Sequence, residues 1–365
     1  MTGDSTTAER VVPVRDSTTA ERVVPVRDST TAERVVPAGD STTAAANGFR
    51  ALVLAGGLSH ERDVSLKSGR RVLDAIRSVG VEAELRDADA SLLTHLAETQ
   101  AGAHPYAAVL VALHGGAGED GALREVLEIA EVPYVGSTPD ACRIAWDKPT
   151  AKALAGRAGL STPGSVVLPH AAFRELGAGA VLDRLVGHLG LPLMVKPARG
   201  GSALGCTTVD KPDELPGAMV SCFSYGEAAL VEQFVTGTEV AVTVVDTGSG
   251  PRALPAVEIV PLSGVYDYTA RYTAGQTEFY APARLSEQVA SSVAAAAVAA
   301  HVALGLRDLS RVDLIVDADG TPHLLEVNTS PGMTETSLLP MAVEAAGLSF
   351  GELLCELLRQ AAARG

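Results

Sequence analysis

Apolar positions fall into short blocks from Phe49 onward, and most blocks end on glycine. Ala51–Ala55 is a continuous apolar run closed by Gly56-Gly57, the pattern of a buried strand entering a loop. Val64, Leu66, Val72, Leu73 and Ile76 then recur at helical spacing up to Gly80. Ala107–Leu113 repeats the strand pattern, ends at His114-Gly115-Gly116, and is followed by a helical stretch around Leu123–Ala130. Strand, glycine loop and helix, repeated, predict a doubly wound α/β domain. Such sheets take ligands at the carboxyl ends of their strands, where both glycine loops lie.

Beyond this, Lys148–Gly159 reads as a helix and Leu193–Pro197 as a strand entering the loop Arg199-Gly-Gly-Ser202-Ala-Leu-Gly205. Ala229–Val235 and Glu239–Val245 read as paired strands separated by Thr236-Gly237-Thr238. Val293–Leu306 reads as a buried Ala-rich helix, too short to span a bilayer. A hairpin over 311–328 and a helix from Phe350 close the chain.

The first 48 residues lack this patterning. DSTTAERVVPVR at 4–15 recurs at 16–27, again with a changed end from Asp28, and in part from Asp40. The only apolar patch of the full copies is Val-Val-Pro-Val, or Val-Val-Pro-Ala in the third, too little to stack as a solenoid, so a disordered low-complexity tail is expected.

The chain has 365 residues, 47% of them hydrophobic, which is enough for two or three units with cores. Net charge is −15, and seven acids against five bases place about −2 of it in the tail. That balance argues against nucleic-acid or anionic-membrane partners but leaves room for a local basic pocket. Cys142, Cys206, Cys222 and Cys355 are far apart and form no CxxC pair, so neither a disulfide framework nor a zinc site is expected; a reducing cytoplasm fits. The polar N-terminus carries no apolar signal segment.

The sharpest chemical signal is Arg311-Val-Asp313-Leu-Ile-Val-Asp-Ala-Asp319-Gly320-Thr-Pro-His-Leu-Leu-Glu326-Val-Asn328. Asp-Gly between alternating apolar runs predicts a two-residue hairpin turn. With Asp319-Gly320 as that turn, Asp313 faces Glu326 and Arg311 faces Asn328 on one face. Val312, Leu314, Val316, Leu325 and Val327 fill the other. Carboxylates roughly 5 Å apart across strands repel and call for a cation between them. Oxygen-only Asp, Glu and Asn suit Mg²⁺ or Mn²⁺ completed by phosphate oxygens. The bland alternative is a solvated acidic hairpin neutralised by Arg311.

The glycine loop at 199–205 lets backbone N–H groups approach phosphate oxygens, with Lys148 and Lys196 as candidate phosphate cations. It is not a Walker A loop, because no Gly-Lys-Ser/Thr follows. Val231-Glu232-Gln-Phe234-Val235 offers backbone groups to an adenine, though read alone it is an ordinary strand with one acid.

From Phe49 to the C-terminus the sequence resembles the ATP-grasp superfamily, and within it the D-alanine–D-alanine ligase family. The resemblance rests on Gly-Gly-Leu-Ser-His-Glu61-Arg-Asp-Val-Ser65, Leu-His114-Gly-Gly-Ala-Gly-Glu119-Asp-Gly121, Tyr266-Asp-Tyr-Thr-Ala-Arg271-Tyr272 and Glu326-Val-Asn328-Thr-Ser-Pro-Gly332-Met-Thr. It implies a three-domain ATP-grasp architecture of class α/β (α+β): a tail at 1–48, an N-terminal substrate domain at 49–145, a central subdomain at 146–234 and a C-terminal subdomain at 235–365. It implies that Glu61 pairs with the ammonium of a first D-alanine, and that Ser202 and Tyr272 bond to each other and to Glu61, closing an ω-loop. Lys148, Lys196, Glu232, Phe234, Val235, Glu239 and Arg271 would bind ATP. Asp313, Glu326 and Asn328 would bind two Mg²⁺ or Mn²⁺. Arg311 and the Gly332 N–H would stabilise a tetrahedral oxyanion, Ser337 and the Leu338 backbone would receive the carboxylate of a second D-alanine, and His114 would sit near the first substrate. A cytoplasmic homodimer is the implied assembly.

Three positions depart from the family pattern. Gly200 stands where an acid is common, Ala203 where a second serine is usual, and Arg271 where a lysine usually precedes the ω-loop tyrosine. The rival activities are D-alanine–D-lactate ligation, whose relatives lack the tyrosine at 272, and a non-catalytic nucleotide-binding module, against which the intact Asp313, Glu326, Asn328 and Arg311 speak.

Overall fold

The computed structural model describes residues 49–102, 105–273 and 275–365, without the side chains of Thr269 and Tyr272; the repeat tail lies outside the described residues. The first sheet holds β1 (Arg50–Ala55), β2 (Glu82–Asp87), β3 (Ala108–Val111) and β4 (Tyr134–Val135), all parallel in the order β2-β1-β3-β4. Helices α1 (Arg62–Ser78), α2 (Leu92–Gln100) and α3 (Ala122–Ile129) are its crossovers. Leu52 and Leu54 pack towards Leu96 of α2 and Leu127 of α3, whereas Ala51 and Val53 pack towards Val72 and Ile76 of α1. Both faces are thus covered, which is why the strands read as unbroken apolar runs. The expected doubly wound sheet is present, with both glycine loops at its carboxyl edge.

Helices α4 (Pro139–Trp146) and α5 (Lys148–Arg157) lead to a second sheet. It contains β5 (Ser165–Pro169), β6 (Leu193–Pro197), β7 (Thr207–Val209) and β8 (Ala228–Gln233) in the antiparallel order β5-β8-β6-β7. Between them run α6 (His170–Leu176), α7 (Ala178–Leu189) and α8 (Leu215–Phe223). Val195 and Val231 join Leu185, Leu189 and Met219 in a core on the helical side. Strand alternation turns Lys196 and Glu232 to the opposite side.

The third sheet is built from β9 (Thr238–Val245), β10 (Arg252–Ala253), β11 (Val257–Pro261), β12 (Thr277–Tyr280), β13 (Leu309–Val316) and β14 (Pro322–Asn328). Helices α9 (Tyr268–Tyr272) and α10 (Glu287–Ala303) interrupt it, and α11 (Leu338–Ala345) and α12 (Phe350–Ala362) follow it. Val240, Val242, Val312 and Leu314 pack on α10, while Ala241, Val245 and Ile259 face α11 and share a core with the first sheet. The three sheets belong to one compact unit. No single helix among the described residues is long and apolar enough to cross a membrane.

Two expectations are corrected. The strands around 229–235 and 239–245 do not pair: β8 pairs with β5 and β6, β9 with β11 and β13, and the link at 234–237 carries the chain from one sheet to another. Gly237 is enforced there, because a Cβ would lie 2.1 Å from the Val316 carbonyl oxygen. The hairpin turn is also longer than two residues. Asp317 N–H donates to the Thr321 carbonyl (3.1 Å), the Asp317 carboxylate accepts from the Asp319 and Thr321 amides, and Gly320 adopts φ +81°. This three-residue loop shifts the register by one, and a bulge at Leu325 shifts it back. Asp313 therefore still faces Glu326, and Arg311 faces Asn328, as expected. Leu324, not Leu325, fills the core.

Candidate active site

Two cavities meet where the sheets converge. One, of about 1010 Å³, lies between the carboxyl edge of the first sheet and the segment after β14; the other, of about 480 Å³, lies between the second and third sheets. Lys148, Gly200, Gly201, Tyr266, Arg271 and Glu326 line both.

Glu61 caps α1 and reaches into the larger cavity. Ser202 Oγ donates to Glu61 Oε1, bridging the glycine loop to the first sheet. A Cβ on Gly115 would stand 2.2 Å from Glu61 Oε2 and displace that carboxylate, and the φ of +65° there also favours glycine. Ser202 and Ala203 both hold left-handed backbone, φ +54° and +55°, and Lys148 Nζ donates to the Gly200 carbonyl (2.6 Å), pinning the loop. Tyr272 ends α9, but its side chain lies outside the described residues, so the expected contact with Ser202 and Glu61 does too.

His114 is buried in the wall of the same cavity. Its Nδ1 lies 2.9 Å from the Ser330 carbonyl and its Nε2 2.8 Å from Ser68 Oγ. Glu119, which sequence reasoning gave no role, is buried beside Glu61 and takes the Gly115 N–H on Oε1 (3.0 Å). Burial, then the charge of Glu61, push its carboxyl up to about 7. Gly332, Ser337 and Leu338 line the far side. Ser337 precedes α11 and its Oγ accepts the Thr334 N–H (3.0 Å), while the Leu338 amide is a first-turn donor without an intrahelical acceptor. A Cβ on Gly332 would press to 2.8 Å from Ser337 Oγ.

Arg311 and Asp313 lie between the cavities. Arg311 Nε and Nη2 donate to Asp313 Oδ1 and Oδ2, both at 2.7 Å. Burial opposes the Arg311 charge, yet Asp313 and Glu326 outweigh it and hold its pKa above the usual value. Burial would likewise raise Glu326, but Lys148, Arg271, Lys196 and Arg311 outweigh it and hold its carboxyl at about 2. Lys148 Nζ lies 3.4 Å from Glu326. Among the described residues no three His, Cys, Asp or Glu side chains form a ligand cluster. The Asp313, Glu326 and Asn328 set instead offers two carboxylates and an amide. Asp313 lines the smaller cavity, Asn328 the larger and Glu326 both. Asn328 Oδ1 already accepts the Ser330 N–H (2.7 Å). The all-oxygen donors, with the Glu326 carboxyl held low by the surrounding cations, fit a hard divalent cation.

In the smaller cavity Glu232 is held between two lysines. Lys152 Nζ pairs with Oε1 and Lys196 Nζ with Oε2 (2.6 Å), and Lys152 also donates to the Pro163 carbonyl (2.9 Å). Burial opposes the Lys196 charge, but Glu232 and Glu326 raise its pKa; burial lowers that of Lys152 despite Glu232. Lys152 was missed in the sequence, although it stands one helical turn after Lys148 on α5. Phe234, Val235, Leu325 and Glu239 complete this cavity, and burial pushes the Glu239 carboxyl up to about 7. Arg271 stacks over the Tyr266 ring at 4.4 Å and donates to its carbonyl (3.3 Å) at the junction.

Residues 154–359 match the family described as D-ala D-ala ligase C-terminus. The chain is 42% identical over 312 residues to a D-alanine–D-alanine ligase of Bordetella petrii, covering 86% of this chain and 92% of that one. A D-alanine–D-alanine ligase of Anaeromyxobacter dehalogenans is 42% identical over 316 residues, covering 87% and 97%. A solved D-alanine–D-alanine ligase of Bacillus anthracis complexed with ATP superposes with TM-score 0.69 at 28% identity, covering 86% of this chain and 96% of that one. The VanG D-Ala:D-Ser ligase of Enterococcus faecalis superposes with TM-score 0.74 at 28% identity, covering 86% and 99%. The chain belongs to the D-alanine–D-alanine ligase family.

Proposed function

We propose that this enzyme joins two D-alanines to D-alanyl-D-alanine at the expense of ATP, for peptidoglycan precursor synthesis. The observation that carries the reading is the junction of the two cavities. A nucleotide in the smaller one would present its terminal phosphate at Lys148 and Glu326, where it meets a carboxylate bound in the larger one. The division at 49–145, 146–234 and 235–365 follows the three sheets and supports an ATP-grasp arrangement.

A carboxylate is a poor electrophile, so the γ-phosphoryl group is transferred to the first D-alanine to give an acyl phosphate. Positioning and charge neutralisation carry such a transfer. Glu61 holds the ammonium of that D-alanine. Lys148 and Lys196 neutralise the phosphates, and Arg271, in place of the usual lysine, keeps the positive charge at the junction with a different donor geometry. Two Mg²⁺ or Mn²⁺ at Asp313, Glu326 and Asn328 would supply further charge compensation on the phosphate oxygens. Ser337 and the Leu338 amide receive the carboxylate of the second D-alanine, whose neutral amine attacks the acyl phosphate. Arg311 and the Gly332 N–H stabilise the oxyanion that forms, and phosphate leaves. The lid carrying Tyr272 excludes water from the acyl phosphate. A cytoplasmic homodimer is the assembly this reading expects.

Product analysis with D-alanine alone and with D-alanine plus D-lactate, across pH, tests it. D-Alanyl-D-alanine is expected throughout the neutral range. Preferential depsipeptide formation at neutral pH would assign the chain to D-alanine–D-lactate ligation instead.

A further inference from the structure

The segment between Asn328 and Ser337 carries the Gly332 amide, and it is held from outside its own sheet. Arg124 of α3 donates to the Thr329 carbonyl (3.2 Å) and Ser330 Oγ (3.3 Å), and two further residues of the first α/β layer grip the segment on either side of Pro331-Gly332. His114 Nδ1 lies 2.9 Å from the Ser330 carbonyl, and the Met333 N–H donates to Ser68 Oγ (3.2 Å). The two grips are joined, because Ser68 Oγ and His114 Nε2 stand 2.8 Å apart. Ser68 is fully buried, and His114, Ser330 and Met333 are nearly so.

The protons in this chain can be assigned. A carbonyl oxygen only accepts, so His114 Nδ1 carries the hydrogen directed at Ser330. A neutral ring then leaves Nε2 as an acceptor, so the Ser68 hydroxyl donates to it and keeps its lone pairs for the Met333 N–H. Every donor meets an acceptor. Burial, which pushes the His114 pKa down, is consistent with this neutral form. Neither ring nitrogen remains for a ligand.

We infer that Ser68 and His114 are positioning residues that aim the Gly332 amide at the developing oxyanion, and that His114 is not a substrate ligand. The inference rests on the role proposed above for the Gly332 amide. A donor displaced by about 1 Å can cost on the order of 100-fold in rate, which is the scale on which two anchors at 2.9 and 3.2 Å matter.

The test separates the two halves of the reaction in full-length enzyme with ATP, Mg²⁺ and D-alanine. Reversible acyl-phosphate formation is read by positional isotope exchange in ATP, and amide formation by dipeptide release. For Ser68→Ala, dipeptide release should fall at least about tenfold while isotope exchange stays within about threefold and the D-alanine KM values hold. His114→Asn keeps an amide donor at the Nδ1 position and should retain more dipeptide release than His114→Ala. Unchanged release in Ser68→Ala, a parallel loss of exchange and release, or a rise in the first D-alanine KM without a kcat change in His114→Ala would each overturn the inference. Absence of isotope exchange in the parent enzyme would overturn the proposed function itself, so the two failures are distinguishable.

Discussion

Arg311 grips Asp313 through two hydrogen bonds of 2.7 Å on the strand that faces Glu326. The residue proposed for the oxyanion is thus oriented by a residue proposed for the metal. Arg311→Ala should lower kcat by about 100- to 1,000-fold, the scale of losing one oxyanion donor. Arg311→Lys should recover little, since an ammonium cannot reproduce the planar fork. Steady-state ligation rates check both.

Glu61 and Ser202 join the first sheet to the glycine loop. Glu61→Gln removes the charge expected to meet an ammonium and should raise the KM for the first D-alanine at least about tenfold, leaving the ATP KM within about twofold. Initial rates with each substrate varied in turn distinguish this from a general loss of folding, which would not separate the two constants.

Lys152 is the second cation on Glu232 and also holds the Pro163 carbonyl. Lys152→Met leaves Glu232 Oε1 without its partner in a buried site, a cost of about 1–3 kcal/mol, and frees Lys196 and Glu232 to move. Thermal denaturation should show the loss of stability, and the ATP KM should rise about tenfold with the D-alanine KM values unaffected.

The Glu119 carboxyl, raised to about 7 by burial and by Glu61, gives a pH dependence of stability. Its folded pKa lies above the roughly 4.3 of a free glutamate. Its contribution to the fold is therefore full below about pH 4.3 and is lost as pH rises through 7. Glu119→Gln keeps an acceptor for the Gly115 N–H but cannot ionise. The difference in denaturation midpoint between pH 5 and pH 8, measured without ligands, should be smaller in the variant than in the parent.

The hairpin shows how much was legible in the sequence. Alternation and an Asp-Gly pair set Asp313 against Glu326 and Arg311 against Asn328, and that pairing holds because the bulge at Leu325 cancels the shift of the longer turn. The same reasoning misjudged the turn, because the Asp317 side chain organises a three-residue loop, and Leu325, whose bulge restores the register, faces the smaller cavity instead of the core. The strands around 229–245 were recognised as strands but not as members of different sheets, since periodicity carries no information on which sheet a strand joins. Ser68, Glu119 and Lys152 escaped for a related reason. Ser68 and Lys152 sit in runs that read as ordinary helix, Glu119 in a motif that assigns it no role, and the first two take their meaning from partners distant in sequence: His114 lies 46 residues from Ser68, and Glu232 lies 80 residues from Lys152.

The central claim is that the Asp313–Glu326 hairpin supports ATP-driven activation of D-alanine. It is tested most directly by phosphate release from ATP with and without D-alanine, in the parent and in Asp313→Asn. The parent should release phosphate only when D-alanine is present, and Asp313→Asn should abolish that release. No D-alanine-dependent release in the parent, or full release in Asp313→Asn, would contradict the account.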